Sequence, residues 1–188
     1  MIRVEPKPEP PDFDANVRQP GKLATSEDEL PVLWRRCLPD LYDAYGGICA
    51  YACTWIPPLT GGRSVDHFAP KSAHPDLAYE WSNYRLVCSV MNARKREFED
   101  VIDPFDIPPG EQWFELELAF LQVRPAAGLD PVRSDQAQHT IDRLKLNDPE
   151  CQRARLSWYE PYLAGECAMT LLERRSPFVA QEVRRQSP

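Results

Sequence analysis

Residues 46–96 read GGICAYACTWIPPLTGGRSVDHFAPKSAHPDLAYEWSNYRLVCSVMNARKR. Three groups in this stretch carry chemistry: the adjacent Asp66 and His67, then Asn83, then Asn92 with Lys95 three residues on. Hydrolysis of a phosphodiester needs a water made nucleophilic, a cation against the developing charge, and a frame that holds both in line. A neutral histidine accepts a proton from water near neutral pH. A carboxylate and a side-chain amide oxygen suit a hard cation such as Mg²⁺, which keeps waters in its remaining positions. Neighbouring residues on a strand point to opposite sides, so Asp66 and His67 serve one site only where the strand bends or ends. Gly61-Gly62 before them and Pro70 after them favour a hairpin that breaks up there.

The spacing predicts a first strand over residues 48–56, a turn through Pro57-Pro58 and Gly61-Gly62, and a second strand over 63–68. A loop is expected from Pro70 to Tyr79. Ser89 is placed to cap a helix running through Asn92, Lys95 and Arg96 to about Phe98. Trp81 is expected in the core, as large aromatic residues usually are.

The order D-H…N…N-x-x-K stands inside the frames C-x-x-x-C, D-H-x-x-P-K and W-x-N-Y-R-L-x-C-x-x-x-N-x-x-K. In these residues the central third of the chain resembles the HNH endonucleases of the ββα-metal type. The resemblance implies an α+β fold, with a β-hairpin and helix as an HNH core inside a mostly helical domain carrying an extra strand segment. It implies a Mg²⁺-dependent nuclease, with Mn²⁺ able to substitute, in which Asp66 and Asn92 hold the metal and His67 is the general base. By the same resemblance, Asn83 is expected to brace the hairpin and orient His67. The resemblance further implies that Arg94 and Lys95 touch phosphate, with Arg85 and Lys71 as expected further contacts to DNA. Many members of the family carry two C-x-x-C pairs around a structural zinc. Here the first pair is stretched to Cys49 and Cys53, and the second is Cys88 with Met91 in place of its partner. Structural zinc sites use four Cys or His ligands, so a structural Zn²⁺ is not expected, and these cysteines read as small buried hydrophobes. His74 sits in a Pro-flanked loop and is expected at the surface.

Composition bounds the rest. The chain has 188 residues, 43% hydrophobic and 27% charged, as in ordinary globular proteins. No apolar run approaches a membrane span, and no secretory signal is evident, so a cytoplasmic protein with free thiols is expected. The net charge is −7, which is unusual for a protein that holds DNA unaided, since Lys and Arg supply most non-specific affinity. Two explanations are expected to apply together: the positive charge is local, around Arg85, Arg94, Lys95 and Arg96, and a second protein delivers the nucleic acid.

Three regions are expected: an extended Pro-rich arm over residues 1–24, the nuclease core with leading helices over 25–100, and a C-terminal strand and helical segment over 101–188. The arm reads either as a disordered tail or as a docked segment anchored by Phe13 and Val17. Ser26 with Glu29 has the pattern of a capping box, and Leu30, Leu33, Trp34 and Cys37 follow at helical spacing. A short helix carries Leu41 and Tyr42 and stops at Gly46-Gly47. Further on, Phe114, Leu116, Leu118 and Phe120 alternate as in a half-buried strand. Helices are expected from Ser134 through Leu144, from Pro149 to a break at Pro161, and around Met169 to Leu172, before a basic exposed tail. His139 reads as an ordinary helix-surface residue.

The flanks extend the resemblance. An N-terminal P-x-P-P-D-F…V-R-Q-P-G and a T-I-x-R-L-x-L-N at residues 140–147 are similar to HNH proteins of retron-associated and Septu-type anti-phage systems. That likeness implies an ABC/SMC-like ATPase as partner. The reading from a different class is a non-catalytic HNH-derived module that binds nucleic acid or scaffolds a partner.

Overall fold

Strand β1 (Arg63–His67) pairs antiparallel with β2 (Tyr84–Cys88), setting Asp66 opposite Arg85 and His67 opposite Tyr84. These details come from a computed structural model that describes residues 1–23 and 30–186. The fold is α+β, with two small antiparallel sheets among helices. The described residues divide into two compact units, one of Glu5–Gly47 with Ile56–Glu99 and one of Met1–Val4, Ile48–Trp55 and Asp100–Pro188.

The first unit is built on β1 and β2. The long connection between them contains two short 3₁₀ turns, Pro75–Leu77 and Trp81–Asn83. Directly after β2 the chain enters a helix, Ser89–Lys95. Its start is fixed by the backbone, because Ser89 N–H donates to Gly62 O at 2.7 Å. Gly62 adopts φ +58°, and a side chain there would strike the Ser89 hydroxyl, so glycine is required. Cys88 is the N-cap and makes no side-chain cap bond, so Ser89 does not cap this helix as expected.

The leading elements pack on the hairpin. The arm is docked: Phe13 and Val17 are buried, and Phe13 meets Trp81 and Tyr84 edge-on at 5.6 and 5.8 Å. Trp81 Nε1 donates to Lys7 O at 2.9 Å. Asp14–Arg18 forms a π-helical turn and continues into α1 (Gln19–Leu23). Arg18 pairs with Glu9 and Asp14, and with Glu80 at 2.9 Å, while Lys22 also reaches Glu80. A 3₁₀ turn, Leu33–Cys37, leads into α2 (Leu38–Ala44), which ends before Gly46 and Gly47, both at positive φ. The capping box at Ser26 falls on residues 24–29, outside the described residues. The helix after β2 is α3 in chain order. Trp81, Tyr84, Leu86, Met91 and Leu41 fill this unit's interior.

The second unit carries β3 (Phe114–Glu117) and β4 (Gln122–Pro125), then α4 (Pro131–Arg143), α5 (Pro149–Leu163), α6 (Met169–Arg175) and α7 (Pro177–Gln186). Phe114, Leu116, Ile141, Leu146, Leu172 and Phe178 are buried here.

Several expectations are corrected. Residues 48–56 are not the first strand of the hairpin. They form a tight turn, with Cys53 N–H on Cys49 O at 2.8 Å, Cys53 at φ 52° and a single bridge from Ile48 to Trp55. The partner of β1 is instead the later β2. The strand expected from 113 to 120 stops at Glu117, because residues 118–121 turn and leave Phe120 67% exposed. Asp130, not Ser134, caps α4, accepting from Arg133 N–H. Pro161 lies within α5 near its end. The supposed exposed tail is α7, which buries Phe178, Val179 and Val183. Among the described residues no helix is long and apolar enough to cross a membrane.

Candidate functional site

The bend that the Asp66-His67 pair requires is present at the end of β1. Phe68 N–H donates to Asn83 O at 2.9 Å, and the chain then leaves the sheet. A cleft of about 430 Å³ opens beside this point, lined by Trp34, Ser64, Asp66, His67, Lys71 and Asn92 among others. The structure therefore brings Asp66, His67 and Asn92 to one cavity, all from β1 and α3.

His67 is 9% exposed, and its Nε2 lies 3.0 Å from Ala78 O. A carbonyl oxygen only accepts, so Nε2 carries the hydrogen and Nδ1 keeps the lone pair. Trp34 and Tyr84 meet the imidazole edge-on at 4.8 and 5.1 Å. Burial pushes the His67 pKa down to about 4, with Lys71 and Lys95 adding to the effect against the Ala78 hydrogen bond. The ring is thus neutral at physiological pH and available as a base.

Asp66 is 2% exposed and also lines the cleft. Asn92 Nδ2 donates to Ser64 Oγ at 2.7 Å, which turns its amide and makes Oδ1 the atom it offers to a cation. Ser64 and Asp66 lie two apart on β1 and share a face. One carboxylate and one amide oxygen fit Mg²⁺ or Mn²⁺, with waters and phosphate oxygens completing the shell. Among the described residues no group of three or more His, Cys, Asp and Glu side chains is placed to hold a metal.

Asn83 is a clamp. Its Oδ1 accepts from Ala69 N–H at 2.8 Å, and Nδ2 donates to Ala69 O and Leu77 O at 2.9 and 3.1 Å. It fixes the chain just past His67 and the chain just before Ala78, the residue whose carbonyl holds His67. Its influence on the imidazole runs through backbone, not through a direct contact.

The expected phosphate contacts divide. Lys71 is exposed on the rim, its Nζ 5.4 Å from the Trp34 ring centre, and Arg94 is half-buried in the last turn of α3. Lys95 and Arg85 instead lie inside the first unit. Lys95 is fully buried, with Nζ donating to His67 O at 3.1 Å and to Phe68 O. Arg85 is 4% exposed and donates to Ser82 O and Tyr84 O at 2.7 and 3.0 Å. Both guanidinium and ammonium lie over the Phe68 ring. Carbonyls left without ladder partners need donors; Lys95 supplies them at the bend after β1, and Arg85 supplies them where the chain enters β2. Arg35, Arg63 and Arg96 line the cleft wall.

Of the cysteines considered for zinc, Cys49 and Cys53 belong to one unit and Cys88 to the other. Cys49 Sγ accepts from Ala52 N–H, and Cys53 Sγ donates to Ala50 O. His74 is half-buried and pairs with Glu99 at 2.8 Å. His139 pairs with Asp100 at 2.8 Å on the surface.

Trp34, Ser64, Tyr84 and Ala78 were not singled out as site residues from the sequence. Only Ser64 carries a sequence signal, its two-residue spacing from Asp66; the other three depend on tertiary packing. No family model matches the chain, and no curated protein matches it.

Proposed function

We propose that this protein is a metal-dependent endonuclease of the HNH, ββα-metal kind, acting on DNA. The observation that carries the reading is the convergence of Asp66, the neutral His67 and Asn92 on one cleft at the end of a hairpin that leads into a helix. Asp66 and Asn92 Oδ1 would hold Mg²⁺. When bound, that ion supplies charge against the developing phosphorane and leaving oxygen. His67 takes the proton of the attacking water at Nδ1 while Ala78 O keeps Nε2–H in place. Arg35, Lys71 and Arg96 at the wall orient the phosphate by charge.

The reading includes a second protein. The chain carries −7, and Lys95 and Arg85, two of the cations expected at phosphate, are enclosed, so the few cations of the cleft wall act against a net negative charge. An ABC/SMC-like ATPase that recruits DNA, in a cytoplasmic anti-phage system, accounts for this deficit.

Plasmid cleavage with Mg²⁺ or Mn²⁺, with and without such an ATPase, tests the proposal. Wild type should cleave and a folded His67→Ala variant should not. Cleavage retained in His67→Ala, from preparations free of contaminating nuclease, removes the assignment. Cleavage by neither, in every combination, favours a binding module.

A further inference from the structure

Helix α5 presents two apolar faces. Cys151 and Arg155 lie on the buried face, and Trp158 and Tyr162 continue it at helical spacing. The opposite stripe holds Leu156 and Leu163, which are 42% and 65% exposed. Beside it, Phe120 in the β3–β4 turn is 67% exposed, and a groove of about 570 Å³ runs between the turn and the helix. Large apolar side chains gathered along one groove are unusual on a free surface and mark an interface.

The charges beside the stripe decide what fits. Arg153 and Glu160 are both exposed, and neither is joined by an ion pair to another described residue. Seven residues apart, they fall on the same flank of α5, about 10.5 Å apart along the axis. Their midpoint lies between Leu156 and Ser157. A two-fold axis through that midpoint, perpendicular to the helix, lays a second α5 antiparallel on the first. It maps Arg153 onto the level of the other copy's Glu160, and Glu160 onto its Arg153. Leu156 then meets its own counterpart at the centre. A parallel pair would instead set like charges level with one another, which is unfavourable.

We propose that the outer face of α5 is a homodimer interface, in which two copies of this chain pair antiparallel about Leu156, with reciprocal Arg153–Glu160 ion pairs. Such an isologous contact closes on itself. It involves none of the residues assigned to hydrolysis and stands apart from that reading.

Sedimentation velocity of the full chain over a micromolar concentration series tests it. Wild type should be a dimer. Arg153→Glu alone and Glu160→Arg alone should each weaken the dimer by about ten-fold or more, because each puts two like-charge pairs at the rim. The double variant R153E/E160R restores the complement and should dimerise as wild type does. An equimolar mixture of the two single variants should form a heterodimer. Both positions are exposed, so circular dichroism should be unchanged. A monomeric wild type, a dimer insensitive to either single change, or a double variant without rescue each overturns the proposal, the last two by placing the contact elsewhere.

Discussion

His67 and Tyr84, paired across the β1–β2 ladder, also share one hydrogen-bond acceptor. His67 Nε2 and the Tyr84 hydroxyl lie 3.0 and 2.7 Å from the carbonyl oxygen of Ala78. A carbonyl has two lone pairs, and both are engaged here. The imidazole is therefore fixed in tautomer by a backbone atom whose own position is set by a buried phenol.

Tyr84→Phe isolates that role. The ring and its edge-on contact with His67 remain, and only the hydroxyl is lost. Tyr84 is fully buried, so the expected cost is about 1 kcal/mol, the usual worth of one internal hydrogen bond. Urea denaturation measures it. Unchanged stability would show that the Ala78 carbonyl does not need the phenol.

The depressed pKa of His67 makes a signed statement about stability. Unfolded, the group titrates near 6.5; folded, near 4. Between these values the unfolded chain binds more protons, so stability falls as pH drops from 6.5 towards 4 and is flat above 6.5 with respect to this residue. The interval corresponds to on the order of 3 kcal/mol. Chemical denaturation at a series of pH values, for wild type and His67→Gln, should show this slope only in wild type. Equal slopes in both would assign the acid sensitivity to other groups.

Much of the candidate cleft's lining was legible because its signal is local. Asp66, His67 and Asn92 are named by type and spacing, and a hairpin end brings them together. The partner strand was not legible in the same way. Residues 48–56 are apolar and β-prone, yet Cys53 at positive φ closes them into a turn, and a 16-residue connection separates β1 from β2. Alternation misled again at residues 114–120, where Leu121 at φ 54° reverses the chain without a glycine. The fate of Lys95 and Arg85 was hidden for a different reason. Whether a cation reaches solvent or caps carbonyls depends on a bend that only the folded chain contains.

Lys95→Met separates those two fates. If the ammonium braces the end of β1, removing it leaves the carbonyls of His67 and Phe68 without that donor inside the protein. Stability should fall by roughly 2–3 kcal/mol, the cost of stranding buried acceptors. A residue that touched phosphate would instead weaken DNA binding with little change in stability. Thermal unfolding and a salt-dependent binding titration, run side by side, give the answer. A variant as stable as wild type but poor in binding would return Lys95 to the phosphate.

Asn83→Asp tests the clamp with nearly the same shape. Oδ1 still accepts from Ala69 N–H, but the two donations to Ala69 O and Leu77 O are lost and a carboxylate now faces both carbonyls. Asn83 is 6% exposed, so this repulsion is poorly screened. Roughly 2–3 kcal/mol of destabilisation is expected, from two stranded acceptors in a buried setting. The same change should release residues 69–78, raising amide hydrogen exchange of Ala73 and His74, whose N–H groups are bonded to Pro70 O within that segment. Since Ala78 O ends the segment and holds His67, cleavage should fall with the protection. Unaltered exchange together with lost cleavage would mean that Asn83 acts on the chemistry directly and not by holding the loop.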